Sequence, residues 1–409
     1  MDSITYRPVT DDEYPAFARA LVEGFSDDVP DDDCPNLLKT VLPPERTLAA
    51  FDGDAIVGTL GGYELELTIP GGHLRMEGTT VVTVFPTHRR MGLMNEMMRL
   101  HLENSVANGY AIAGLWASDS AIYGRYGYGV ATYAETVTMI SPNVVFREGV
   151  VIDRVRRISV EEAAVELPPI FDMVLPTKPG MFARTQDWWS VEVLHDASWR
   201  RRDKTTLRVV VHDGADGPDG YAIYRQKSGE RDDGHANGTV HVVEVVAATE
   251  RAHASLWFYL TNIDGCPTVR RWNFPVDDPL PMKVREPRKL TREKRFDALW
   301  ILVLDVVAAL EARTYEREGA IRFTIVNSFR SETDGSYELV IEGGVGSCRR
   351  IDGDTEIEVD IDVLGALYLG GGDAHAYAAA DRIRGAAEVT RRLDELFRTA
   401  RAPWCNQVF

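Results

Sequence analysis

The stretch from Val81 to Leu102, VVTVFPTHRRMGLMNEMMRLHL, changes character half-way and constrains the chain around it. It opens as a β-branched run and passes through Pro86, Arg89, Arg90 and Gly92. Beyond Gly92, apolar residues recur at helical spacing: Leu93, Met94, Met97, Met98, Leu102 and Val106. Asn108-Gly109 closes the run as helix C-termini commonly close. YAIAGLWAS follows as a short buried strand. The pattern predicts strand 79–85, helix 91–108 and strand 110–117. That is a β-α-β unit with a right-handed connection and roughly parallel strands. A helix start offers unpaired N–H groups and a positive dipole end, which suit an anion. Arg89 and Arg90 add charge, and Gly92 lets a phosphate approach the backbone. Taken alone, the same turn also fits a helix start with two solvated arginines.

This basic spot lies in an acidic chain, with 45 Lys plus Arg against 63 Asp plus Glu and a net charge of −18. Such a balance argues against nucleic acid as the partner, since phosphate backbones attract the opposite sign. It suits a cationic substrate drawn into an acidic cleft, and it equally serves solubility alone. Cys34, Cys266, Cys348 and Cys405 form no CxxC pair, so a reducing cytoplasm is the expected compartment. The N-terminal segment lacks the pattern of a signal peptide. The most apolar run, ALWILVLDVVAAL, is broken by Asp305 and falls short of the ~20 residues that span a bilayer, so no membrane is expected. The nine histidines show neither HxxxH nor HExxH spacing, so no metal site is expected.

At about 100–200 residues per domain, 409 residues suggest two to four domains. Residues 4–8 predict a first strand, and Thr10-Asp-Asp-Glu13 fits a capping box. TLAAFDGDAIVGTLGGYELEL predicts two strands joined at Asp52-Gly53-Asp54, with a further turn at Pro70-Gly71-Gly72. In the middle, TLRVVVHD, GYAIYRQ, GTVHVVEVVAAT and the helix ERAHASLWFYLTNI echo that order, which suggests an internal duplication. The Pro- and charge-rich DDPLPMKVREPRKLTREKRFD is expected as a domain boundary. LWILVLDVVAALEART is expected as one amphipathic helix, and TEIEVDIDVLGALYLGG as strand-rich. AEVTRRLDELFRTA predicts a last helix with Glu388–Arg392 facing along it.

The Arg-x-x-Gly turn resembles the pyrophosphate and pantetheine site of Gcn5-related N-acetyltransferases (GNAT), with Met94 where that motif has Gly or Ala. WASDSAIYGRYGYGVATY follows the next strand. Together, VFPTHRRMGLM and SAIYGRYGYG closely resemble the Eis family of acetyltransferases, and GYAIYRQ, DVLGALYLGG and the terminal Phe extend the similarity along the chain. The resemblance implies an α/β fold with two acetyltransferase-like domains (1–137 and 138–296) and a sterol-carrier-protein-like domain (297–409). It implies a homohexamer that acetylates amines of aminoglycosides, or lysines, from acetyl-CoA. By position, acetyl-CoA contacts Val82, Thr83, Val84, Arg89, Arg90, Met91, Gly92, Leu93, Met94, Asn95, Ser118 and Asp119. Tyr123 takes the general-acid position and the Phe409 carboxylate the general-base position. Asp27 lies in the substrate pocket, and Val408 stands where some members have an acid. The middle domain, with no Arg-Arg-x-Gly turn, is expected not to bind CoA.

The chemistry agrees in type. Transfer from a thioester needs a neutral amine and a protonated leaving thiolate. A tyrosine of pKa about 10 stays protonated where a thiol of about 8.5 leaves. A carboxylate of about 3.5 is a weak base for an ammonium. Burial beside Val408 and Phe409 would raise it, or it would act by positioning the amine. Two other readings stand beside this one: a protein lysine acetyltransferase, and a non-catalytic assembly protein with a relic CoA site.

Overall fold

The computed structural model describes residues 4–27, 34–141, 144–229, 234 and 236–409. The chain divides into two compact units, one of residues 1–132, 179–183 and 297–409, the other of 133–178 and 184–296. No helix among the described residues is long and apolar enough to cross a membrane.

The first unit opens with β1 (Thr5–Arg7), α1 (Tyr14–Gly24), α2 (Cys34–Val41), β2 (Thr47–Asp52), β3 (Ala55–Ile69) and β4 (Gly72–Val84). It continues with α3 (Leu93–Ala107), β5 (Ile112–Trp116), α4 (Ser120–Tyr123) and β6 (Gly129–Val130). β1 to β4 form an antiparallel meander. β4 and β5 are parallel, as expected, but pair only over Met76–Gly78 and Ile112–Gly114. Beyond Gly78 no pairing joins them, so an opening starts there. At Thr10–Glu13 half a capping box forms: the Glu13 carboxylate accepts the Thr10 N–H at 2.9 Å and two Arg7 bonds at 2.7 Å, while α1 starts at Tyr14.

The second unit carries β7 (Tyr133–Ile140), β8 (Val155–Ile158), β9 (Arg208–Gly214), β10 (Gly217–Lys227), β11 (Thr239–Ala247), β12 (Thr268–Pro275) and β13 (Leu290–Asp297). Its sheet runs β13-β7-β12-β11-β10-β9-β8. β9, β10 and β11 are antiparallel, and β12 lies parallel to β11 after the helix Glu250–Thr261. This repeats the order β2, β3, β4, α3, β5, so the suspected duplication is present in the architecture. Helix Val160–Val174 starts with a complete capping box of Ser159 and Glu162. The helices bury Leu256, Trp257 and Leu260 against Val210, Tyr224, Val240 and Phe274. The run 277–297, expected as a boundary, carries the edge strand β13, and the division between the two units falls at its end, between Phe296 and Asp297.

The chain then returns to the first unit. β14 (Leu299–Val303) enters the first sheet between β5 and β6, giving β1-β2-β3-β4-β5-β14-β6. This corrects the expectation of a single helix across LWILVLDVVAALEART. All five β14 residues are buried, because the strand is covered on both faces, and a run apolar on both faces shows no period. Asp305 then caps a helix, Val306–Ala312, by accepting the Ala308 N–H at 3.0 Å.

A five-stranded sheet completes the unit: β15 (Gly319–Val326), β16 (Gly335–Glu342), β17 (Val345–Ile351), β18 (Ile357–Asp360) and β19 (Ile383–Gly385), in the order β17-β16-β15-β18-β19. TEIEVDIDVLGALYLGG is only partly strand. After β18 it is the helix Ile361–Leu367, which lies so close to β14 that a Cβ on Gly365 would meet the Ile301 carbonyl at 2.1 Å. In the last helix, Ala387–Phe397, Arg391 pairs with Glu395, whereas Arg392 turns to Glu356 and not to Glu388. The tail after it is docked. Trp404 N–H donates to Pro179 O at 2.8 Å, and the Asn406 side chain accepts the Phe182 N–H at 3.2 Å.

Candidate active site

The opening between β4 and β5 becomes a cleft of about 730 Å³. Its walls are built by local backbone irregularities. Val81, a β-branched residue, has a φ of 49°, an uncommon conformation for such a side chain. It sits at a register shift in the β3–β4 ladder. Thr59 Oγ1 fixes the bulge by donating to Val81 O at 2.7 Å and lies 2.9 Å from Thr83 Oγ1. The bulge turns Val82, Thr83 and Val84 toward the cleft, where all three line it. Gly92, at φ 86°, caps α3 in the left-handed region that favours glycine.

Arg89, Arg90, Gly92, Leu93, Met94 and Asn95 line the same cleft, as do Ser118, Asp119 and Tyr123 from the β5–α4 segment. Asp119 caps α4 by accepting the Ala121 N–H at 2.9 Å. Tyr123 is 5% exposed. Burial raises its hydroxyl above the usual tyrosine pKa, the hydrogen bond with Ser118 works in the opposite direction, and Asp119 adds to the rise. The group is therefore a neutral donor at neutral pH. Its ring stands edge-on to Tyr128, with centroids 6.4 Å apart. The Tyr128 hydroxyl and His101 Nε2 each lie 2.9 Å from Thr79 Oγ1.

Three predicted residues lie elsewhere. Met91 is 48% exposed and is not part of the lining. Asp27 follows α1, is exposed and does not line the cleft; the rest of its acidic cluster, 28–33, lies outside the described residues. Phe409 packs edge-on against Tyr63, at 6.4 Å, and Phe182, at 5.6 Å. Tyr63 pairs with Gly78, the rung where β4 and β5 part. Strand alternation puts Tyr63 on the face opposite Thr79 and His101. Val408 is 46% exposed, against the expectation that its side chain would be buried.

The sequence reading missed several lining residues: Gly24, Phe25, Ser26, His88, Ile122, Arg125 and Tyr126. Gly24 carries a usable signal. A Cβ there would meet Thr83 Oγ1 at 2.6 Å, so only glycine lets the end of α1 close on β4. Arg125 stands within IYGRYGYG, where its charge faces the cleft beside the tyrosines.

The cleft has the chemistry of an anion site at one end. Among the described residues none of Arg89, Arg90 and Arg125 pairs with a carboxylate; Arg89 reaches a backbone carbonyl, and Arg125 a backbone carbonyl and the face of the Tyr126 ring. Glu96, the acid in the first turn of α3, is held by Arg99. In the second unit the corresponding helix begins with the Thr249 cap and Glu250, which oppose an anion. Among the described residues no group of His, Cys, Asp or Glu is placed to hold a metal ion.

Comparison with known proteins agrees with this architecture. Family models described as acetyltransferase (GNAT) domains match residues 5–131 and 180–302, and a sterol carrier protein domain matches 306–406. An uncharacterized N-acetyltransferase of Streptomyces avermitilis is 33% identical over all of this chain and 99% of its own. N-acetyltransferase Eis of Mycobacterium tuberculosis is 32% identical over 97% of each chain. The crystal structure of Eis1 from Mycobacterium abscessus covers 99% of this chain and 100% of its own with a TM-score of 0.87 at 26% identity. Identity sustained along nearly the whole of both chains, across two GNAT domains and a sterol-carrier-like domain, shows that this protein belongs to the Eis family of N-acetyltransferases.

Proposed function

We propose that the protein moves an acetyl group from acetyl-CoA directly to an amine of a polycationic acceptor, with aminoglycosides as the acceptor class. The observation that carries this reading is the cleft, which places Arg89, Arg90, Arg125 and the start of α3 around the same space as the buried Tyr123 side chain. GNAT domains use acetyl-CoA as co-substrate. The residues fit it: Arg89, Arg90, Arg125 and the N–H groups that follow Gly92 suit its phosphates, and Val82–Val84 suit its extended arm. Asp27 and the acid of the chain attract the acceptor.

In this mechanism the Phe409 carboxylate takes a proton from the acceptor ammonium. The amine nitrogen then bonds to the acetyl carbon as the carbon–sulfur bond breaks. Tyr123 gives its proton to the departing sulfur, and Ser118 supports the phenolate left behind. The acetylated nitrogen then loses its second proton, which restores the Tyr123 hydroxyl, and the Phe409 carboxyl returns its proton to water. The protein acts as a homohexamer in a reducing cytoplasm, which suits its four free cysteines.

The test is thiol release from acetyl-CoA with aminoglycosides, polyamines and lysine peptides. Aminoglycosides and polyamines should support turnover. Release with lysine peptides alone would favour a protein acetyltransferase, and release with none would favour a relic site. A C-terminal extension should abolish turnover and leave acetyl-CoA binding intact; full activity in that variant would remove the Phe409 assignment.

A further inference from the structure

Three tyrosines stand in the turn that carries the general acid, and the mechanism uses only the first. The backbone closes this turn. Gly127, at φ 90°, donates its N–H to Gly124 O at 3.1 Å, and the Tyr128 N–H donates to Tyr123 O at 3.4 Å. Tyr126 and Tyr128 send their hydroxyls to different elements. The Tyr126 hydroxyl donates to Asn95 Oδ1 at 2.6 Å, in the first turn of α3. The Tyr128 hydroxyl lies 2.9 Å from Thr79 Oγ1, on the first β4 residue beyond the last β4–β5 rung. The turn that follows β5 is thus tied to α3 and to β4, across the opening. Tyr123, Tyr126 and Asn95 all line the cleft. The Tyr128 ring stands edge-on to the Tyr123 ring, with centroids 6.4 Å apart.

Both later tyrosines are buried, and a phenylalanine would fill either place with no hydroxyl to satisfy. What the hydroxyls add is direction. An Asn side chain has one acceptor oxygen and one pair of donor hydrogens. With Tyr126 donating to Oδ1, the Asn95 Nδ2 hydrogens remain for a ligand in the cleft. Acetyl-CoA offers acceptors to meet them, in its phosphate oxygens and amide carbonyls. Tyr128 backs the Tyr123 ring and cannot withdraw without breaking its hydrogen bond with Thr79.

Resting on the acetyl-transfer reading above, we propose that Tyr126 and Tyr128 are positioning residues with separate tasks. The Tyr126 hydroxyl orients Asn95 so that its amide donates to acetyl-CoA. The Tyr128 hydroxyl, held by Thr79, seats Tyr123 where its proton can reach the departing sulfur.

Removing one hydroxyl at a time separates the tasks. Tyr126→Phe should weaken acetyl-CoA binding about fivefold by calorimetry, with kcat at saturating acetyl-CoA within about twofold of wild type. In an Asn95→Leu background the same change should cost nothing more, because the side chain it orients is gone. Tyr128→Phe should do the reverse, with kcat about tenfold lower and acetyl-CoA binding within about twofold. Thr79→Val should match it, and Thr79→Ser, which keeps the hydroxyl, should retain most of the rate. In a Tyr123→Phe background Tyr128→Phe should leave the residual rate unchanged. Wild-type acetyl-CoA binding in Tyr126→Phe, wild-type kcat in Tyr128→Phe beside an impaired Tyr123→Phe, or losses that multiply in the double variants would overturn this inference alone. Full turnover in Tyr123→Phe would overturn the functional reading and this inference with it.

Discussion

Ser118 and Tyr123 form the smallest unit of the account. Ser118 stabilises the deprotonated tyrosine, so Ser118→Ala should raise the Tyr123 pKa and lower kcat. A loss of about tenfold is expected for one hydrogen bond to a charged group. The basic limb of the kcat profile, which burial of Tyr123 displaces upward, should move further up. A downward move would mean that Ser118 favours the neutral phenol. Arg90 tests the other end of the cleft. Arg90→Met should weaken acetyl-CoA binding about tenfold and flatten its salt dependence, measured by calorimetry at two ionic strengths. At this scale much was legible. The Arg-Arg-x-Gly turn and the family motifs named most of the lining, because a phosphate site needs charge and glycine next to a helix start. Arg125 and the α1 residues were not legible, since nothing local says which surface will face an opening made by strands far apart in sequence. Phe409 is docked by Tyr63 and Phe182, which the sequence does not bring near it.

The contact of α3 with β4 carries a titration that can be measured. His101 is buried, and burial, with Arg46 nearby, pushes its pKa down to about 3. Between roughly pH 6.5 and 3 the unfolded chain binds a proton that the folded chain refuses, so stability falls as the pH drops through that window. His101→Gln keeps a polar partner for Thr79 and should remove that slope from Tm measured against pH. An unchanged slope would show that other groups set the acid limb. The approach of α1 to β4 is equally specific. Gly24→Ala forces Thr83 to move and should weaken acetyl-CoA binding while lowering stability by about 1–3 kcal/mol. Elements with one buried face were legible from period alone, as α3 and the last helix, Ala387–Phe397, show. β14 and the helix Ile361–Leu367 were not. Both are buried nearly all round, and period cannot tell a buried strand from a buried helix.

The whole chain folds by exchanging strands. β7 follows the first acetyltransferase-like segment yet lies between β12 and β13, and β14 follows the second yet lies between β5 and β6. Sequence boundaries near 137 and 296 therefore do not enclose the sheets. Burying the five side chains of β14 contributes on the order of 10 kcal/mol at about 1.5–3 kcal/mol each, comparable to the stability of a whole domain. A fragment of residues 1–137 should thus fail to fold; a dispersed amide spectrum from it would contradict the exchange. No pairing pattern in the sequence announces such a swap, because either sheet would accept either apolar strand. The central claim, that the cleft lined by Tyr123 transfers acetyl to cationic amines, is tested most directly by thiol release from acetyl-CoA with the amine panel, run on the wild type and Tyr123→Phe side by side. The account predicts release with aminoglycosides or polyamines that falls at least about a hundredfold in the variant, the scale of a lost general acid, while acetyl-CoA still binds. No release with any amine, or equal release by both proteins, would contradict it.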